Sequence, residues 1–149
     1  MAGTLKVKIQ EDIILDNQDY GSKRVLEISS IDEIYKRIVT CPASQTTTIL
    51  NLSSNVYTNP SDVDVEDSKY IRVTNLDSSN SVELAVITGS TLYQVTLSAG
   101  HSHILGSADE FMLDEADTSP SFSTMADVVK IAVNPGGNAV NVELFVASA

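Results

Sequence analysis

Apolar residues along this chain alternate with polar ones in short runs, the period of a half-buried strand. The clearest run is Tyr70 to Leu105, reading YIRVTNLDSSNSVELAVITGSTLYQVTLSAGHSHIL. With Gly89-Ser90 as a two-residue hairpin loop of the Gly-X type, which needs φ > 0 at its first position, Thr88 pairs with Thr91, Val86 with Tyr93, Leu84 with Val95 and Val82 with Leu97. These pairs share one face of the ribbon, because side chains alternate sides along a strand. The other face carries Glu83 with Thr96 and Ala85 with Gln94, which water can solvate. Two strands and their turn agree, so the ribbon forms a wall of a β-sandwich or barrel.

The rest of the chain reads the same way. Leu5, Val7, Ile9, Ile13 and Leu15 keep to odd positions with Glu11 as the interruption, giving one long strand or two broken near Glu11-Asp12. Asn17 to Ser22 (NQDYGS) has turn composition, and Lys23 to Ser30 is a second strand with Leu26 and Ile28 on one face. Ser30 to Thr40 is ambiguous. Ser30 and Glu33 have capping-box spacing and Ile31, Ile34, Tyr35 and Ile38 have helical spacing, yet Tyr35, Arg37 and Val39 also share a strand face; a strand ending at Pro42 is the preferred reading. Thr46 to Leu52 aligns Thr48, Leu50 and Leu52. A polar connection, Ser53 to Ser68 with Asn59-Pro60, leads to Ile71 and Val73. Ser98-Ala99-Gly100 is a three-residue loop with glycine where a left-handed residue is wanted. Gly106 to Asp127 is a second long loop. Val129, Ile131 and Val133 face Leu144, Val142 and Val140 if Asn134 to Ala139 is a turn. The expectation is an all-β fold: one domain over residues 1–149, an antiparallel, jelly-roll-like β-sandwich of eight or nine strands.

A chain of 149 residues is long enough to bury a core without a metal or disulfide staple. With aromatics at 5% and no Trp, that core must rest on Val, Ile and Leu. Twenty acids against nine bases argue against nucleic-acid or anionic-membrane partners, which need basic patches. The charge is uneven. Residues 1–40 hold six bases and seven acids, whereas residues 41–149 hold thirteen acids against Lys69, Arg72 and Lys130. Cys41 is the single cysteine, so no internal disulfide forms. The opening MAGTLKVKIQ alternates instead of presenting a signal-type apolar run, and no stretch approaches the length of a membrane span. The expectation is a chain made in a cytoplasm.

Catalytic motifs are missing: no GxSxG, HExxH or phosphate-cradling glycine loop occurs, and Cys41 has no histidine partner in sight. A non-enzyme without cofactor is expected. The acids Asp62, Asp64, Glu66 and Asp67, and those from Asp109 to Asp117, lack calcium-loop spacing and read as solvated. Phe111, Met112 and Leu113 cannot all point inward from an irregular loop, so they cover the sandwich end or meet another subunit. Ile87 and Leu92 form a further apolar pair on the otherwise polar hairpin face.

The run YIRVTNLDSSNSVELAV, the short hairpin and LSAGHSHIL, with TTTILNLSS before them, resemble a recurring pattern in small virion structural proteins of tailed bacteriophages. The resemblance spans the middle third to half of the chain, and His101 follows the turn glycine where many relatives carry an acid. It implies a β-sandwich particle component: a capsid decoration or cement protein, or a neck or tail accessory protein. The implied partners are the major capsid protein or other virion proteins, in a homo-oligomer with a trimer favoured. Residues 1–16, with Leu5, Val7 and Ile9, would then be a docking strand that adds to a neighbouring sheet edge. His101 and His103, as i and i+2 on a strand, lie on one face; about a threefold axis such strands can surround a transition metal, as in some trimeric phage spike tips. Partly exposed histidines bonded to backbone or water are the plainer reading, and no metal is assigned. A carbohydrate-binding module is the rival from another class, poorly served by five scattered tyrosines. A cupin-like enzyme would need more ligands than two histidines.

Overall fold

The computed structural model describes residues 1–55, 61–115 and 118–149, and every regular element among them is a strand. In order these are β1 (Gly3–Glu11), β2 (Ile14–Leu15), β3 (Gln18–Asp19), β4 (Ser22–Ile31), β5 (Glu33–Cys41), β6 (Thr47–Ser53), β7 (Val63–Asp64), β8 (Ser68–Asn75), β9 (Val82–Ile87), β10 (Leu92–Leu97), β11 (Ser102–Leu105), β12 (Met112–Leu113), β13 (Met125–Ala126), β14 (Lys130–Asn134) and β15 (Val140–Ser148). Nine of them build two sheets, ordered β10-β9-β14-β6-β7 and β11-β8-β15-β5. Leu84, Val86, Ile131 and Val133 of the first sheet share one buried cluster with Ile71, Val73, Val142, Leu144 and Val146 of the second. The fold is all-β, and its core is the layer between these sheets. Asn59-Pro60 of the first long connection and Asp117 of the second acidic stretch lie outside the described residues.

The β9–β10 hairpin has the register that period-two alternation predicts: Tyr93 opposite Val86, Val95 opposite Leu84 and Leu97 opposite Val82. Its loop is closed differently from expectation. Gly89 does not adopt a left-handed φ. Instead the buried Thr88 hydroxyl accepts from the Thr91 amide (3.1 Å) and donates to Asp114 Oδ1 (2.8 Å), which also accepts from the Ser90 amide (2.9 Å). A carboxylate from a distant segment supplies what the glycine was expected to supply. Gly100, by contrast, is left-handed at φ 75° and its amide donates to the Asn75 carbonyl at 3.1 Å.

Ser30 to Thr40 is strand, as preferred, without the helical turn that was its alternative: β5 puts Tyr35 and Val39 against the core and Ile34 and Ile38 on the outer face. Two further expectations are corrected. In β6 the register shifts beside Ile131, so that Leu50 and then Thr48 are paired and Ile49 is the extra residue. A bulge of this kind breaks alternation; Ile49 and Leu50 are therefore both buried and Thr48 is exposed. Finally, Val129 to Val133 does not pair with Val140 to Leu144. β14 lies between β9 and β6, β15 lies between β8 and β5, and the Asn134 to Ala139 turn, with Gly136 at φ 69°, carries the chain from one sheet to the other. Alternation cannot distinguish this from a hairpin, because both put the same residues in the core.

Candidate interaction surfaces

β1 and β4 pair only with each other, in a ribbon outside the two sheets. The residues at 1–16 expected to form a docking arm are its first half. The ribbon alternates: Leu5, Val7, Ile9, Arg24, Leu26 and Ile28 share one face, and Lys6, Lys8, Lys23 and Glu27 the other. At its root, Leu5, Val7 and Ile28 pack with the buried Ile31 onto Tyr70, Phe145 and Ala147, on the outer face of the four-stranded sheet. Ser30 at φ 62° bends the chain from the ribbon toward β5. The far end turns at Asp16 and Asn17, both left-handed (φ 52° and 62°), with Gln18–Asp19 paired back on Ile14–Leu15. The turn thus falls one residue ahead of the Asn17 to Ser22 segment that composition suggested. Acidic and amide side chains at left-handed positions are what such a hairpin loop asks for.

This arm concentrates the exposed apolar surface. Ile9, Ile13, Ile14, Leu15, Tyr20, Val25 and Leu26 make up seven of the sixteen exposed large hydrophobics among the described residues, and Ile14 is 75% exposed. Ile9 and Leu26 lie on one ribbon face and Val25 on the other, beside Lys8; scattered apolar residues need no explanation, but their concentration on one element points to an interaction surface. Lys6 pairs with Glu27 at 2.8 Å, while Lys8, Lys23 and Arg24 form no ion pair among the described residues.

Ile87 and Leu92 are a cross-strand pair, half-buried and 48% exposed respectively. Phe111 packs on the chain's own core with its ring 6.2 Å from that of Tyr93, and Met112–Leu113 pair with β13, half-buried. The two histidines are separated in environment. His101 lies in the turn before β11 and is exposed. His103 turns toward the core side and shares a 2.9 Å hydrogen bond, Nε2 to the Tyr93 hydroxyl. Burial lowers its pKa, so the imidazole there is neutral at physiological pH. Among the described residues no three of His, Cys, Asp or Glu converge on a possible metal site. Cys41 is buried and its thiol pKa is raised by desolvation.

Sequence reasoning overlooked the flank formed by β5. This strand is an edge of its sheet, with no strand partner beyond it among the described residues. Ile34 (51% exposed) and Ile38 (61%) stand on its outer face. Beside it, a cleft of about 670 Å³ opens toward β6 and β7, lined among others by Glu33, Asp64 and Asp67. Arg37 crosses it, donating from Nη2 to the Ile49 carbonyl at 2.7 Å. The strand period was legible at Tyr35, Arg37 and Val39, but Ile34 and Ile38 also fit helical spacing, which hid them as an outward pair. Farther across the outer face, Arg72 donates to Glu143 at 2.6 Å and lies over the Phe145 ring.

No family model and no curated sequence matches the chain. A chain from the Bacillus endospore appendages, described as a novel family of disulfide-linked pili, is similar at a TM-score of 0.39 and 10% identity, over 77% of this chain and 88% of that one. A likeness at this level carries no argument for this chain. Among the described residues no helix is long and apolar enough to cross a membrane.

Proposed function

We propose that this chain is a structural subunit that works by gripping neighbouring proteins, as a component of a tailed-bacteriophage particle that decorates or cements the capsid shell. The observation that carries the reading is the arm: a ribbon of mostly exposed strands ending in Ile13, Ile14, Leu15 and Tyr20, whose root packs on the body while the main core cluster contains none of its residues. Exposed apolar side chains on a projecting ribbon contribute little to the stability of the body and much to a contact elsewhere. The phage-like run from Tyr70 to Leu105 supports the particle setting, and the acidic body keeps unassembled copies apart.

Particles purified on a density gradient from cells producing the chain test this. The chain is expected in the particle band in fixed ratio to the shell protein. It should be lost from that band when residues 10–23 are replaced by Asn-Gly, which closes β1 on β4 as a short hairpin. A chain found only in the soluble fraction overturns the reading. Location at a neck or tail would appear as a few copies per particle instead of many.

A further inference from the structure

The apolar face of the arm does not close completely on the body. Between them lies a cavity of about 250 Å³, walled by Val7, Ile9 and Leu26 of the ribbon and by Tyr70, Ile104 and Leu105 of β8 and β11. Tyr70 and Leu105 are buried, whereas Ile9, Leu26 and Ile104 are about half exposed, so the cavity is reached directly from solvent. Walls of this kind gain dispersion contacts and buried area from an apolar guest and offer water few partners. The volume equals roughly eight molecules of liquid water at ~30 Å³ each. It falls just below the roughly 300–1,000 Å³ of sites for drug-sized ligands, so the guest that fits is small.

Charge beside the apolar walls narrows the chemistry. Arg24 stands opposite Ile9, on the ribbon face that carries Val7 and Leu26. Arg24 and Lys69 both line the cavity and no Asp or Glu does, although residues 41–149 hold thirteen acids against three bases. Lys69 also donates to the Glu66 carbonyl at 2.9 Å and lies close enough to Asp109 to act on its carboxyl. Arg24 forms no ion pair among the described residues and is the principal cation of the site.

We propose that this cavity binds a small amphipathic anion: an apolar chain of about eight atoms that ends in a carboxylate, with the chain between arm and body and the carboxylate at Arg24 and Lys69. Guanidinium and carboxylate make charge-assisted hydrogen bonds that an alcohol of the same length cannot match. Because the guest touches both walls, its binding is felt by ribbon and body alike. The site makes no use of the arm's tip, so it does not depend on the particle role proposed above.

Titration of the intact, isotope-labelled chain with linear carboxylates, followed by NMR, tests this. From butanoate through hexanoate to octanoate, affinity is expected to rise by up to about fourfold per added methylene. Dodecanoate is expected to gain little over decanoate, once the cavity is full. The shifted signals should lie on both walls, at Val7 and Leu26 and at Tyr70 and Ile104. Octanol is expected to bind about tenfold more weakly than octanoate, and Arg24→Gln with Lys69→Gln to erase most of that difference. Gly106→Leu is expected to abolish octanoate binding, since Gly106 lines the cavity and an added Cβ there meets no atom within 4 Å. Should that variant lose its strand spectrum, Ile104→Trp takes its place. Signals that move only at the exposed tip, around Ile14 and Leu15, would mean simple adhesion to an apolar surface and overturn the site. Equal binding of octanol and octanoate, undiminished binding by the filled variant, or no shift at any chain length would overturn it too.

Discussion

Glu143 is held between Arg72 at 2.6 Å and Lys36 at 3.6 Å on the outer face of the four-stranded sheet. The Arg72 hydrogen bond, more than the charges, keeps its carboxyl below the ordinary range. A depressed folded pKa means that the pair stabilises above the unfolded value of about 4.3 and loses its effect as pH falls through the folded value. Glu143→Gln is therefore expected to cost about 1 kcal/mol at neutral pH, with the difference fading in acid. Urea unfolding of both proteins at neutral and acidic pH checks it, and an equal difference at both would assign the loss to packing instead. This pair could not be read from the sequence. Arg72 and Glu143 are distant along the chain and meet only because β8 and β15 are neighbours. Nor could the Tyr93 contact of His103, whereas the buried positions of Ile71, Val73, Leu84 and Val86 followed from alternation alone.

Among the elements, the β9–β10 hairpin shows how far local pattern reaches. Its register was legible to the residue, since a one-position slip would turn every core side chain to solvent. The loop conformation was not, because Asp114 sets it from outside. The hydrogen bond from Thr88, and then that from Ser90, lower the Asp114 pKa. Asp114→Ala is expected to speed amide exchange at Ser90, while Gly89→Ala should leave it unchanged: the added Cβ would lie an ordinary 3.6 Å from Asp114 Oδ1. Unchanged Ser90 exchange in Asp114→Ala would return the loop to purely local control. The same limit explains β14 and β15, whose alternation reveals which residues are buried but leaves open which sheet each joins. The bulge at Ile49 has no sequence signature, being set by the need to bury both Ile49 and Leu50 beside β14.

At the scale of the whole molecule, an all-β core with no converging metal ligands among the described residues carries one exposed ribbon. The odd-position aliphatics made the arm visible in the sequence as a strand. Its isolation from both sheets, and the exposed Ile34–Ile38 flank across the molecule, needed the tertiary structure. Light scattering on the intact chain across a range of concentrations tests the arm's role in assembly most directly. The expected mass is a multiple of 16.0 kDa, falling to one chain when residues 10–23 are replaced by Asn-Gly. A single-chain mass for the intact protein at every concentration would contradict it.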